Sequence, residues 1–254
     1  LLFHIRMNSL FITGNSAGLG HALTEYYLDH DWRVYGCSRR GCDGLGGYLG
    51  DMRCDLRDFD TLPVMLEDLL GGADRLDLVI LNAGILGDIR DMTQTPLADI
   101  QRVMDINVWS NKVILDWLAN SGIDVSQIIM ISSGASILGN RGWGGYALSK
   151  AALNMLAKLY AHEFPGTHIC ALAPGIIVTA MMDYLCEEAD AETYPALERL
   201  RDRYRLVALT NGNAEVRHTP LRDAFDHVLT AADAGAMRPD PALFRMAMDW
   251  AGAA

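Results

Sequence analysis

The feature that most constrains this chain is a short apolar run that passes straight into a glycine-rich turn. Ser9 to Thr13 reads as a buried strand, and Thr13-Gly14-Asn15-Ser16-Ala17-Gly18-Leu19-Gly20 follows without a break. Ala22, Leu23, Tyr26 and Tyr27 then recur at helical spacing. Strand, glycine turn and helix together suit a dinucleotide: glycines allow a tight turn and close backbone approach, and a helix N-terminus offers free N–H groups to a pyrophosphate. The candidate contacts are Gly14, Asn15, Ser16, Gly18, Leu19 and Gly20. A plain tight turn is the alternative.

Further strands follow in alternation with helices. Arg33 to Cys37 is the second and ends in Ser38-Arg39-Arg40. An acidic residue at that end binds a ribose 2′-hydroxyl, whereas Ser38 and Arg39 suit a 2′-phosphate that a carboxylate would repel. The expected cofactor is therefore NADP(H). Gly41 to Gly50 reads as a glycine-rich loop, and Met52 to Leu56 as a third strand whose Asp55 and Leu56 touch the adenine. Thr61 to Leu70 is helical, and Leu76 to Leu81 is a strand ending in Asn82-Ala83-Gly84, small residues that leave room for the cofactor. Pro96 to Val108 is helical and continues to Ala119; Asn107 within it is either tolerated or there for a reason. Ile128 to Ser132, a helix from Gly145 to Phe164, and a strand from His168 to Ala173 complete the pattern. Such alternation predicts an α/β fold: a single-domain, Rossmann-type, doubly wound parallel sheet with helices on both faces. Ligands bind such sheets at the carboxyl ends of the strands, where the glycine turn, Ser38-Arg39, Asn82, Ser133 and Pro174-Gly175 all fall.

One of those strand ends carries the chemistry. Ser133 follows the apolar run Ile128 to Ile131, and Tyr146 and Lys150 lie four residues apart, on one face of a helix. A phenol titrates near ~10, and a neighbouring ammonium favours the phenolate, so the expectation is that Lys150 lowers the pKa of Tyr146 into use as an acid/base. Ser133 is placed to hold the substrate oxygen. An ordinary surface pair is the alternative for Tyr146 and Lys150 taken alone.

Composition narrows the class. The 254 residues are half hydrophobic and carry a net charge of −11, which argues against a nucleic-acid partner or docking on anionic lipid. No apolar run approaches the ~20 residues that span a bilayer. Five cysteines without CxxC spacing fit a reduced, cytoplasmic protein with no metal site better than a disulfide framework. Residues 1–6 precede Met7 and are expected to be an N-terminal extension, leaving 7–254 as one domain.

Taken together, Thr13-Gly-x-x-x-Gly18-x-Gly20, Asn82-Ala-Gly84, Asn107, Ser133, Tyr146-x-x-x-Lys150 and Pro174-Gly175 with Thr179 resemble the short-chain dehydrogenase/reductase family over about Met7 to Thr179. The resemblance implies that Tyr146 is the acid/base, that Lys150 lowers its pKa and binds the nicotinamide ribose, that Ser133 orients a carbonyl, and that Asn107 holds a water in a proton relay. It adds Pro174, Gly175, Ile177 and Thr179 to the cofactor contacts. Ser133-Gly134-Ala135 with Gly142-Trp143 is similar to the sepiapterin reductase and benzil reductase branch.

Beyond Thr179 the pattern weakens. Residues 180–215 stand where a substrate lid is expected, with Met181 and Asp183 as candidate contacts beside Trp143. Each has a plainer reading, as helix packing, a solvated carboxylate and a loop aromatic over core. Residues 219–254 lack the usual glycine-rich ending; Phe225, Val228 and Leu229 read as helical, as do Leu243 to Trp250. That puts a tetramer in doubt and leaves a homodimer through the long helices. The expected function is an NADPH-dependent carbonyl reductase, or alcohol dehydrogenase in reverse, acting on a small ketone or dicarbonyl. A non-catalytic NADP(H)-binding regulator is the alternative, though it has no need of Ser133, Tyr146, Lys150 and Asn107 together.

Overall fold

The computed structural model describes residues 6–175, 177, 179–181, 184, 200–201, 205–210, 223, 225–235 and 241–251. The chain divides into two compact units, Leu1–Pro174 and Gly175–Ala254.

The first unit is built on β1 (Ser9–Thr13), whose five residues are all buried. A strand buried on both faces reads as an unbroken apolar run rather than an alternating one. β2 (Arg33–Ser38), β3 (Leu49–Arg53), β5 (Leu78–Leu81), β7 (Gln127–Ile131) and β8 (His168–Leu172) join it in a parallel six-stranded sheet of order β3-β2-β1-β5-β7-β8. β4 (Arg75–Leu76) and β6 (Asp124–Val125) form a separate short pair. Alternation along each strand divides the core. Phe11, Val79, Leu81, Ile128 and Met130 face α2 (Leu62–Leu70), α4 (Ser110–Ser121) and α5 (Gly144–Tyr160). Leu10, Ile12, Leu78 and Ile80 face Leu23, Tyr27 and Leu28 of α1 (Gly18–Asp29). The doubly wound parallel sheet is the fold anticipated.

Local corrections have physical causes. β3 begins inside the stretch expected to be loop and ends before Cys54, because it is an edge strand held by backbone register with β2, Val34 opposite Leu49 through Ser38 opposite Arg53. Its side chains are therefore free of a hydrophobic pattern. Leu56, expected against the adenine, is buried in the core instead. The helix expected from Pro96 onward is three segments: α3 (Leu97–Met104), a π-turn at Asp105–Trp109, and α4. Gly122 closes α4 at φ +77°, a left-handed cap that glycine adopts without strain. Arg6, grouped with the extension, pairs with Asp77 at the start of β5.

In the second unit, β9 (Val207–Thr210) and β10 (His227–Thr230) pair in parallel. Val228 and Leu229, expected to be helical, are thus in a strand; two adjacent apolar residues fit either element, and here both are buried by the pairing. Thr230 and Asp233 form a capping box on the short helix Ala231–Ala234. The helix expected after Pro239-Asp240-Pro241 is present as Pro241–Ala251, and its Trp250 stacks on His227 at 4.5 Å. Among the described residues no helix is long and apolar enough to cross a membrane.

Candidate active site

The carboxyl ends of β1, β2, β5 and β7 lie side by side in the sheet order, so the residues that follow them share one edge. At the end of β1, Gly14 turns at φ +72° and Gly18 at φ +54°, and α1 begins at Gly18. Its N-cap, Ala17, offers no side-chain acceptor, and the first turn holds no acidic residue. The free N–H groups there are left for an anion, which an acidic first turn would repel. That is notable on a chain of net charge −11. This turn, followed by a β2 end with no carboxylate, fits a dinucleotide phosphate.

Two latches hold the edge together. The Thr13 hydroxyl accepts the N–H groups of Asn82 at 3.1 Å and Ala83 at 3.0 Å. The Asn82 amide in turn donates to the carbonyls of Thr13 at 3.0 Å and Gly14 at 3.3 Å. Asn82 therefore joins the end of β5 to the glycine turn rather than standing clear as open space. At the end of β2, Ser38 is buried and its hydroxyl accepts the Gly41 N–H at 3.1 Å, so it shapes the turn, while Arg39 is exposed. Asp55 is bonded to Arg57 through both carboxylate oxygens, and the Arg57 pairing, with Arg39 nearby, holds its carboxyl below the usual range.

The reactive groups meet between β7 and α5. Ser133 opens the turn after β7 and its hydroxyl accepts the Ala135 N–H at 3.2 Å. Tyr146, in the first turn of α5, lies against it. Burial pushes the Tyr146 phenol above its ordinary value, and hydrogen bonding to Ser133 opposes this by favouring the phenolate. Lys150 is 4% exposed and gives a proton of Nζ to the Ile131 carbonyl at 2.7 Å, with Nζ 5.6 Å from the centroid of the Tyr146 ring. Desolvation lowers its pKa to about 8. The expected lowering of Tyr146 by Lys150 thus does not appear in the protein by itself. Burial penalises both charged forms, and the ammonium is engaged by the carbonyl.

Asn107 explains why an asparagine sits within a helix. It is fully buried at the centre of the π-turn, where its Oδ1 accepts the Ile85 N–H at 2.8 Å. Its Nδ2 donates to the Ile85 carbonyl and the Ser149 hydroxyl, each at 2.9 Å. Ser149 also bonds the Tyr146 carbonyl, so Asn107 is tied directly to the helix that carries the reactive pair. A π-turn of this kind is a frequent mark of a functional site. Gly84 lies between: a Cβ there would stand 3.2 Å from Asn107 Oδ1 and 3.5 Å from Lys150 Nζ. Trp143, the N-cap of α5, meets Tyr146 edge to face at 6.2 Å. Arg141 and Asp91 form a two-bond ion pair at 2.7 Å that joins the loops before α3 and α5.

Thr13 and Ser149 were not singled out from the sequence, although Thr13 opens the glycine motif and Ser149 lies one turn beyond Tyr146. Of the remaining candidates, Pro174 ends the first unit; Gly175, at φ +82°, Ile177, Thr179 and the exposed Met181 belong to the second. Asp183 and most of the expected lid lie outside the described residues. Among the described residues no group of three His, Cys, Asp or Glu could hold a metal.

Such a site can hold an oxygen between two hydroxyls, one of them a phenol, with a buried amine behind. That is equipment for moving a proton to or from an alcohol or carbonyl oxygen. Known proteins share this sequence pattern and fold. Residues 8–190 match the short chain dehydrogenase family. The benzil reductase ((S)-benzoin forming) IRC24 of Saccharomyces cerevisiae is 30% identical over 220 residues, 79% of this chain and 84% of that one. A 3-oxoacyl-acyl-carrier-protein reductase of Rickettsia conorii is 30% identical over 187 residues, 70% of this chain and 76% of its own length. A short-chain dehydrogenase from Shigella flexneri, solved as a complex with NADP, superposes with a TM-score of 0.61 at 25% identity, covering 70% of this chain and 80% of the other. This chain belongs to the short-chain dehydrogenase/reductase family of oxidoreductases, and its similarities within that family extend to the benzil reductases.

Proposed function

We propose that the protein is an NADPH-dependent carbonyl reductase acting on a small ketone or vicinal dicarbonyl. The observation that carries this is the meeting of Ser133 and Tyr146 above the buried Lys150. Bound NADPH supplies the hydride. The chain's own residues supply the rest. Ser133 and Tyr146 hold the carbonyl oxygen, and Tyr146, kept protonated by burial, gives its proton as charge develops there. Lys150 stands beneath it on the proton path, and Asn107, its side chain committed to Ile85 and Ser149, positions the helix that carries both. Trp143 walls the site with an aromatic face suited to a planar substrate. The glycine turn and the uncapped α1 N-terminus would hold the pyrophosphate, with Arg39 at the 2′-phosphate. The benzil reductase and oxoacyl reductase relatives support a ketone, and the NADP complex of the Shigella protein supports the cofactor. The four described cysteines that are free support a reducing, cytoplasmic setting.

The test is nicotinamide absorbance with benzil, simple diketones, a pterin ketone, an acetoacetyl ester and ketosteroids, run separately with NADPH and NADH. Consumption specific to NADPH with a vicinal dicarbonyl is expected. Tyr146→Phe should lower turnover on the order of 10²–10⁴-fold while still binding NADPH. Unchanged turnover in that variant would remove Tyr146 from the mechanism. Binding without turnover across the whole panel in the unmodified protein would favour a regulator.

A further inference from the structure

We propose that Asp51 is a positioning residue for cofactor selection: its carboxylate ties the glycine-rich turn to the loop that carries Arg39 and Arg40, and so sets the preference for a 2′-phosphorylated dinucleotide. This rests on the NADPH reading above. Asp51 lies on β3 directly opposite Gly36 of β2. Gly36 has no side chain, and a Cβ there would overlap the Asn15 amide. Asn15, fully buried, uses that gap to reach across β2, and its Nδ2 donates to Asp51 Oδ1 at 2.6 Å.

The second carboxylate oxygen is engaged from the other side. Asp51 Oδ2 accepts the Cys42 N–H at 2.8 Å. Gly41, at φ +79°, brings the backbone so close that a Cβ would stand 3.1 Å from that oxygen and 2.8 Å from Arg53 Nε. The adjoining Gly41 N–H is held by Ser38. The exposed Arg39 and Arg40 therefore project from a loop fixed at both ends, by Ser38 on one side and Asp51 on the other. Two N–H donors converge on Asp51, and only an acceptor-only group satisfies both. The two neutral donors leave its negative charge in place, so its direct effect on a 2′-phosphate is repulsive, and removing it weakens NADPH only through the loop it holds. NADH, which has no 2′-phosphate, makes no demand on where Arg39 stands, so loosening the clamp should cost NADPH selectively.

The experiment measures dissociation constants of NADPH and NADH by calorimetry for the full chain and for Asp51→Asn, Asn15→Ala and the double variant. An amide at 51 turns an NH2 toward one of the two donors and opens the clamp. The unmodified protein is expected to prefer NADPH, and Asp51→Asn to weaken NADPH about tenfold while NADH stays within about threefold. Retained NADH binding reports an intact site. The Asn15 side chain, counted with the turn from the sequence, is fully buried with its amide turned to Asp51, so Asn15→Ala removes no side-chain contact with the dinucleotide and should act alike. The double variant should be no worse than either single one, and Asn15→Ala carries the test if Asp51→Asn does not fold. An NADPH preference that survives both substitutions overturns the clamp and leaves the cofactor reading standing. Equal weakening of both cofactors overturns it too, by assigning Asp51 a structural role alone. No preference in the unmodified protein overturns the cofactor reading and the proposal together.

Discussion

Lys150 is costly to the fold that buries it. In the unfolded chain its amine stays protonated up to about 10.5, and in the folded protein only up to about 8. Between those values the unfolded chain binds more protons, so stability rises with pH across that window; below about 8 the full penalty is present. The fall corresponds to about 3 kcal/mol, offset by about 1 kcal/mol for the bond to the Ile131 carbonyl. Lys150→Met is therefore expected to stabilise the protein at pH 7 by about 2 kcal/mol, and to destabilise it slightly above pH ~10.5, where the amine is neutral in both states. Denaturant titrations at the two pH values check this; a loss of stability at pH 7 would mean that burial does not disfavour the ammonium. Turnover should be lost at every pH. A buried amine that costs the fold this much is a candidate for chemistry rather than for cohesion.

Among the elements, the latch at the end of β1 belongs to the fold and the site at once. Thr13 Oγ1 takes two N–H groups from the start of the loop after β5, and among the described residues no other hydroxyl joins those strand ends. Thr13→Val keeps the shape and leaves both amides without that acceptor, so a loss of about 2–4 kcal/mol is expected in urea titration. An unchanged midpoint would show that water replaces the hydroxyl without cost. The same elements show what was legible in the sequence. β1 and β5 are buried on both faces, and their apolar runs announce them; β7 buries Ile128 and Met130 on one face and covers Ile129 and Ile131 in part on the other. Ser133 after the end of β7 and the four-residue spacing of Tyr146 and Lys150 on one helix were readable, and the structure sets these three side by side; Asn107 was marked only by its place within a helix. β3 was misplaced by three residues because an edge strand is held by backbone pairing, which leaves no hydrophobic pattern. Asp51 was missed for the same reason. Its partners, Asn15 and Cys42, come from two other segments, and no periodicity along one segment records a carboxylate that accepts from both. The pKa of Tyr146 depends on burial, which a four-residue spacing does not contain.

At the scale of the molecule, one helix serves two faces. α5 turns Lys150, Leu153, Ala157 and Tyr160 into the core and presents Leu148, Met155 and Leu159 to solvent, each at least half exposed. Those three positions, seven and then four residues apart, form an apolar stripe along the outer side of the helix, with Ala151 exposed between them. The charged residue in the last turn, Lys158, is the exception on that side. An apolar stripe on a strongly acidic chain calls for a cover, and a second copy of the same stripe is self-complementary about a two-fold axis. We therefore expect a homodimer through α5. Met155→Glu places a like charge from each copy at the centre of that face, and sedimentation equilibrium at micromolar concentration should then give the monomer mass where the unmodified chain gives twice that value. A monomer in both would assign the stripe to the surface of a single chain. Packing of α5 against a second copy would also steady the turn that carries Tyr146, so the glutamate variant should bind NADPH as before and lose part of its turnover, separating the assembly of the helix from the chemistry at its N-terminal end.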